Sequence, residues 1–160
     1  MATTKSAFGK ACECLVQEII KAKTGYAVNN LNDKKNNHPY TDLEVINPKG
    51  DVIYEVSVKT KDGREWPSVK GIVRKDQYIV FVDFYGRTYP DFYVLSCRQW
   101  NNLLKKILPS RGKGAKIVNG SIEWNNCIKS GKETKRKGSL LRPEEIAIYK
   151  DKLSSLPGVV

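Results

Sequence analysis

The side chains best suited to chemistry lie on two short β-patterned runs. In Asp42-Leu-Glu-Val-Ile46, Asp42 and Glu44 alternate with Leu43 and Val45. In Val52-Ile-Tyr-Glu-Val-Ser-Val-Lys59, the polar Glu55, Ser57 and Lys59 alternate with Val56 and Val58. Side chains two apart on a strand share a face. A hairpin turning through Asn47-Pro-Lys-Gly-Asp51 therefore gathers Asp42, Glu44, Glu55, Ser57 and Lys59 on one side. Two carboxylates held a few ångströms apart repel each other, and a hard cation such as Mg2+ between them relieves the repulsion. A lysine on the same surface can orient or help deprotonate water, or offset charge building on a phosphate. This combination suits phosphodiester hydrolysis and needs no histidine. The same alternation also suits an edge hairpin with one solvated side.

Other chemistries are narrowed by what is missing. His38, in a polar loop just before Pro39, is the only histidine. It reads as a surface residue, which removes Ser-His-Asp and Cys-His catalysis and multi-histidine metal sites. The four cysteines, Cys12, Cys14, Cys97 and Cys127, form no Cys-x-x-Cys pair. They read as small apolar residues of a reduced, cytoplasmic protein. No stretch approaches the ~18 consecutive apolar residues that cross a bilayer, and Met1-Ala-Thr-Thr-Lys-Ser lacks the apolar core of a signal peptide.

The charge points to a polyanion. Over 160 residues, 28 lysines and arginines face 17 acids, for a formal charge of +11. Such a field favours phosphate backbones. Between Pro109 and Ser139 the bases are Arg111, Lys113, Lys116, Lys129, Lys132, Lys135, Arg136 and Lys137, and the acids are Glu123 and Glu133. Interleaved glycines make this segment read as mobile basic loops around one short strand, Lys116–Cys127, that holds Trp124. Lys61, Arg64 and Lys70 form a second basic loop after the hairpin. There Trp66 either stacks on nucleic acid or covers the core edge. No basic amphipathic helix with a broad apolar face supports a membrane reading. A basic surface that meets an acidic protein partner is a further reading of the same charge.

The elements that must hold these residues follow from periodicity. Phe8, Ala11/Cys12, Leu15, Ile19 and Ala22 predict an amphipathic helix from Ser6 to about Lys23, ended by Gly25. Tyr26–Val28 reads as a short strand. Gln77–Phe84 is a nearly continuous apolar run, expected to be a buried central strand, and Asp91–Ser96 is a further strand. Arg98–Leu108 returns to helical spacing, with Trp100 and Tyr93 expected in the core. Pro143-Glu-Glu opens a last helix. The expectation is one domain over residues 1–160, an α/β fold with a central mixed β-sheet flanked by helices. Residues 1–108 form its core, and residues 109–160 are basic loops and a C-terminal helix packed on it. The interior draws on Leu15, Ile19, Val45, Val56, Val58, Ile79, Phe81 and Val94.

Thr41-Asp-Leu-Glu-Val-Ile followed by Tyr54-Glu-Val-Ser-Val-Lys-Thr60, preceded by a helix carrying Glu13, resembles the PD-(D/E)xK nuclease superfamily, including its restriction endonuclease-like and Holliday junction resolvase-like members. The likeness runs from about Gly9 to Ser96. It implies a restriction endonuclease-like core that cuts DNA with Mg2+ (or Mn2+), and a homodimer, since two strands need two sites. It makes Asp42 a metal ligand, Lys59 the catalytic lysine and Glu13 an auxiliary acid at the same metal. Thr41 stands where the family has proline, and Ser57 stands where it has an acid. Glu55, one step back, or Glu44, beside Asp42, would then supply the missing oxygen. Failing that, the protein is a catalytically impaired nucleic-acid binder. Pro90-Asp91 with Glu133-Thr-Lys135 matches the motif letters better. Glu133 and Lys135 fall between glycines in a charge-rich loop, where no strand is expected to hold them.

Overall fold

The computed structural model describes residues 4–33, 41–127 and 133–160. Helix α1 (Thr4–Thr24) stops where Gly25 takes φ +69° and its N–H bonds the Lys21 carbonyl. Five strands follow the alternation and apolar runs of the sequence: β1 (Ala27–Asn30), β2 (Leu43–Ile46), β3 (Val52–Lys61), β5 (Gln77–Asp83) and β6 (Asp91–Ser96). They make one mixed sheet in the order β1-β2-β3-β5-β6, parallel only between β3 and β5. The connection between those two carries a short strand, β4 (Trp66–Val69), in a segment expected to be a loop. Helix α2 (Cys97–Ile107) starts with a capping box between Ser96 and Gln99.

Each face of the sheet is covered. On one, Cys12, Val16 and Ile20 of α1 pack on Leu43, Val45, Val56, Val58, Val80 and Val82. The helix therefore buries the row beside the one the sequence suggests, and Leu15 and Ile19 are only half-buried. Apolar residues occur in adjacent pairs here, Leu15-Val16 and Ile19-Ile20, so the stripe is too broad for spacing alone to choose its centre. On the other face, Ile79, Phe81, Tyr93 and Leu95 meet Trp100, Leu103, Leu104 and Ile107 of α2, with Trp66 inserted among them. Strand β5 serves both cores, which explains its unbroken apolar run.

The segment after residue 108 departs from expectation. Among the described residues, the one strand expected at Lys116–Cys127 is two strands turning at Asn119-Gly120, β7 (Lys116–Val118) and β8 (Ser121–Cys127), and β9 (Glu133–Lys137) joins them in a three-stranded antiparallel sheet. Glu133 and Lys135 thus do stand on a strand, but it pairs with β8 and not with β6, where Asp91 lies. A charged edge strand is held by ladder hydrogen bonds rather than by apolar side chains, so it leaves no hydrophobic trace in the sequence. Strand β10 (Ser139–Leu141) pairs with β4. Ile122, Leu141 and Ile146 are fully buried in the same core as Phe81, and Trp100 Nε1 donates to the Gly120 carbonyl at 2.7 Å. The expected last helix is instead two 3-10 turns, Pro143–Tyr149 and Leu153–Ser155. Among the described residues no helix is long and apolar enough to cross a membrane.

Candidate functional site

Strand β2 begins at Leu43, opposite Val56, whereas β3 continues to Lys61. Beyond the end of β2 the backbone N–H of Val58 has to find another acceptor. The Asp42 carboxylate takes it, Oδ2 accepting at 2.7 Å. Its other oxygen accepts from Asn32 Nδ2 at 3.0 Å. That amide also reaches Glu13 Oε2 on α1 at 3.4 Å, and Asn30 Nδ2 donates to the same oxygen at 3.2 Å. Asn30 Oδ1 in turn accepts the Asn32 N–H at 2.9 Å, fixing the 3-10 turn Leu31–Asp33 that carries Asn32. Two acids from α1 and the head of β2 are thereby joined through one asparagine.

Lys59 belongs to the same electrostatic field. Burial lowers its proton affinity below that of an ordinary lysine, Asp42 and Glu13 pull it back up, and Lys70 adds to the lowering. Burial also holds the Glu13 carboxyl above the usual carboxylate range. The negative charge of Asp42 adds to this, while Asn30, Asn32 and Lys10 oppose it. The Lys59 backbone is tied down by Trp66, whose Nε1 donates to its carbonyl at 3.2 Å. On the strand between these residues, Ser57 is fully buried, and its hydroxyl has no hydrogen-bond partner among the described residues.

Of the residues expected from the sequence, Glu13 and Asp42 are brought together through Asn32, and Lys59 lies within the electrostatic reach of both. Glu55 and Glu44 are not part of the group. Glu55 Oε2 accepts from Thr41 Oγ1 at 2.8 Å and Gln77 Nε2 at 3.1 Å, and Arg74 lies 2.7 Å from its other oxygen. Burial pushes this carboxyl up, but Gln77, Arg74 and Thr41 together hold it below the usual range. Glu44 sits directly opposite Glu55 in register and takes a long hydrogen bond, 3.5 Å, from Asn29. Facing carboxylates on neighbouring strands repel, and Arg74 offsets that repulsion. The second acid beside Asp42 is therefore Glu13. Asn30 and Asn32, which link the pair, are not singled out by the sequence, where they are two of several asparagines after Val28. Their signal is two amides, two residues apart, at the last residue of β1 and in the turn that follows it.

Two of the expected nucleic-acid contacts are corrected. Lys61 is buried, 2.8 Å from Asp83 with both side chains 2% exposed, and it donates to the Gly63 and Arg64 carbonyls. Its ammonium lies 4.8 Å from the Trp66 ring centroid. A full charge buried on an apolar face requires such a partner, so Lys61 is a structural cation. Arg111 bonds Ser110, Ser139, the Leu140 carbonyl and both Glu145 oxygens, clamping the chain around β10. Trp66 is 1% exposed and lies in the core. Arg64, Lys70, Lys113, Lys116, Lys135, Arg136 and Lys137 are exposed. Lys132 and His38 lie outside the described residues. Of the cysteines, Cys12 and Cys97 are buried, as expected of small apolar residues, and Cys14 is exposed.

The donors at Glu13 and Asp42 are hard oxygens. Mg2+ is held by one or two carboxylates and completes its shell with water and substrate phosphate. Among the described residues no three acids, cysteines or histidines cluster as a fuller cage. A paired carboxylate site whose Glu13 ionises reluctantly beside Asp42 fits a hydrated Mg2+, because a divalent charge favours both ionised acids. Compared with protein-family models, curated proteins and solved structures, the chain has no match.

Proposed function

We propose that the protein is a Mg2+-dependent deoxyribonuclease, hydrolysing phosphodiester bonds in DNA on a restriction endonuclease-like core. One observation carries this reading: residues 13 and 42, far apart in the chain, are linked carboxylates joined through Asn32, and the charges of both act on the partly buried Lys59. Asp42 and Glu13 would hold the ion, which when bound supplies Lewis-acid polarisation of a phosphate and of water. In hydrolysis a water oxygen bonds to phosphorus as one P–O ester bond breaks, and charge builds on the non-bridging oxygens. The Lys59 ammonium opposes that charge in a partly buried setting, where screening is weak. Asn32 orients both acids, and the Val58 N–H fixes Asp42 in place.

A second reading is a non-cutting nucleic-acid binder of the same architecture. It draws on Ser57, which offers no carboxylate, and on Glu55, which is engaged by Arg74. Incubation with supercoiled, linear and branched DNA in Mg2+, Mn2+ or EDTA separates the two. The nuclease reading expects cleavage that EDTA abolishes and that Asp42→Ala and Lys59→Ala each slow by about 100-fold or more. Salt-sensitive binding without cleavage favours the second reading, and cleavage undiminished in both variants overturns the proposed site.

A further inference from the structure

Several of the described cations have acids against them. Arg74 meets Glu55 and Asp76, Arg87 meets Asp91, Lys61 meets Asp83 and Arg111 meets Glu145. The small sheet of β7, β8 and β9 is different. Its register places Lys116, Glu123 and Lys137 in one row across the three strands, on one face. Lys135, two residues before Lys137, shares that face. The opposite side is turned inward, where Ile122 is fully buried and Ile117 and Trp124 pack against the core. Lys116, Lys135 and Lys137 are exposed, and the one ion pair at this face among the described residues is a long contact, 4.0 Å, from Lys135 to Glu123. Three exposed cations outnumber the two acids that the register assigns to this face, Glu123 and Glu133, and, fixed on a sheet rather than on loops, they leave a net positive field.

We propose that this outward face is a preformed seat for the sugar-phosphate backbone of duplex DNA, separate from the Glu13–Asp42–Lys59 site. Residues two apart on β9 stand about 6.8 Å apart, close to twice the 3.4 Å axial spacing of phosphates along one DNA strand. The end of β4 links the sheet that carries the seat to the candidate site. Exposed Lys70 acts on Lys59 through its charge, and the next residue, Gly71, bonds Ser121 Oγ at the head of β8 through its N–H at 3.2 Å. The three cations of the seat are lysines, point charges that grip phosphate oxygens, so the contact they make carries no sequence information. The choice of DNA as the polyanion rests on the proposed function, whereas the phosphate chemistry stands without it.

The test is fluorescence anisotropy with a labelled duplex of about 20 bp, in EDTA so that nothing is cut, between about 50 and 200 mM salt. Replacing Lys116, Lys135 and Lys137 by Gln is expected to reduce the slope of log affinity against log salt by about 2.7, at about 0.9 per phosphate contact. Over that salt range the variant loses about 40-fold less affinity than the parent. Replacement of the same three by Arg keeps the slope, and Glu123→Gln tightens binding. A slope unchanged in the Gln variant, with circular dichroism and melting like the parent, overturns the seat. So does Gln-variant binding that weakens for heparin but not for the duplex. If the parent never cleaves DNA yet the slope falls as stated, the nuclease reading fails and the seat stands. If the parent cleaves DNA and the slope does not change, the seat fails and the nuclease reading stands.

Discussion

Lys61→Met tests whether Lys61 serves the fold or a ligand. The ammonium sits 2.8 Å from Asp83 with both side chains 2% exposed, so neither charge is well hydrated. Removing the cation strands Asp83, which keeps the Tyr85 N–H at 2.9 Å and a distant Arg87 at 3.9 Å. Breaking a buried pair from one side costs about 3–5 kcal/mol. For a chain of this size each kcal/mol moves the melting temperature by about 2–4 °C. The expected fall is therefore about 6–20 °C, read by calorimetry or by circular dichroism on heating. Lys61→Met/Asp83→Leu, which leaves no stranded charge, should recover much of the loss, because burying neither ion is often as good as burying both. The salt slope of DNA binding by any folded fraction stays as in the parent. A melting temperature within about 2 °C of the parent, together with a slope reduced by about 0.9, would refute this reasoning and return Lys61 to the DNA-contacting set.

Three further outcomes follow from the same geometry. Ser57→Ala removes a buried hydroxyl that has no described partner. It should stabilise by about 1 kcal/mol in urea unfolding, whereas a loss of stability would show that the hydroxyl is satisfied. Gly71→Ala introduces a Cβ that collides with Trp100 Nε1 and the Gly120 carbonyl, at an expected cost of about 1–3 kcal/mol or more from overpacking; a neutral result would mean that the β7–β8 hairpin is not seated there. Glu13 has its proton affinity raised in the folded state, by burial first and Asp42 second. Its contribution is thus fully present below the unfolded carboxylate range and is lost as pH rises through the folded value. Glu13→Gln, which cannot ionise, should therefore gain stability relative to the parent as pH climbs from about 4 to 7. A difference in melting temperature that stays flat across this range would contradict the shift.

The parts of this fold legible in the sequence are those where side-chain pattern and backbone pairing agree. Strands β2 and β3 alternate, β5 and the middle of β6 are continuous apolar runs, and α2 shows a single narrow apolar stripe. Strand β4 escapes because Pro67 and a Ser68 at φ 52° read as loop chemistry, and its partner β10 lies some seventy residues away. Strand β9 escapes because Glu133-Thr-Lys-Arg-Lys137 holds no apolar side chain. At the candidate site, Glu13, Asp42 and Lys59 are named by motif. Glu55 is misplaced because Gln77 and Arg74, which engage it, arrive from the far side of the β3–β5 connection. Lys61 and Arg111 look like free cations in a charge tally, since a tally cannot see the acids that fold against them.

The hydrogen bond from the Trp66 indole to the Lys59 carbonyl has a consequence for how the chain can be divided. Trp66 is seated on β4, β4 is completed by β10, and β10 is clamped by Arg111. The lysine at residue 59 is thus set in place by residues 139–141, so a fragment cut after residue 108 would keep every motif residue and lose the scaffolding beneath one of them. The C-terminal third is not a detachable module, because it props up the site.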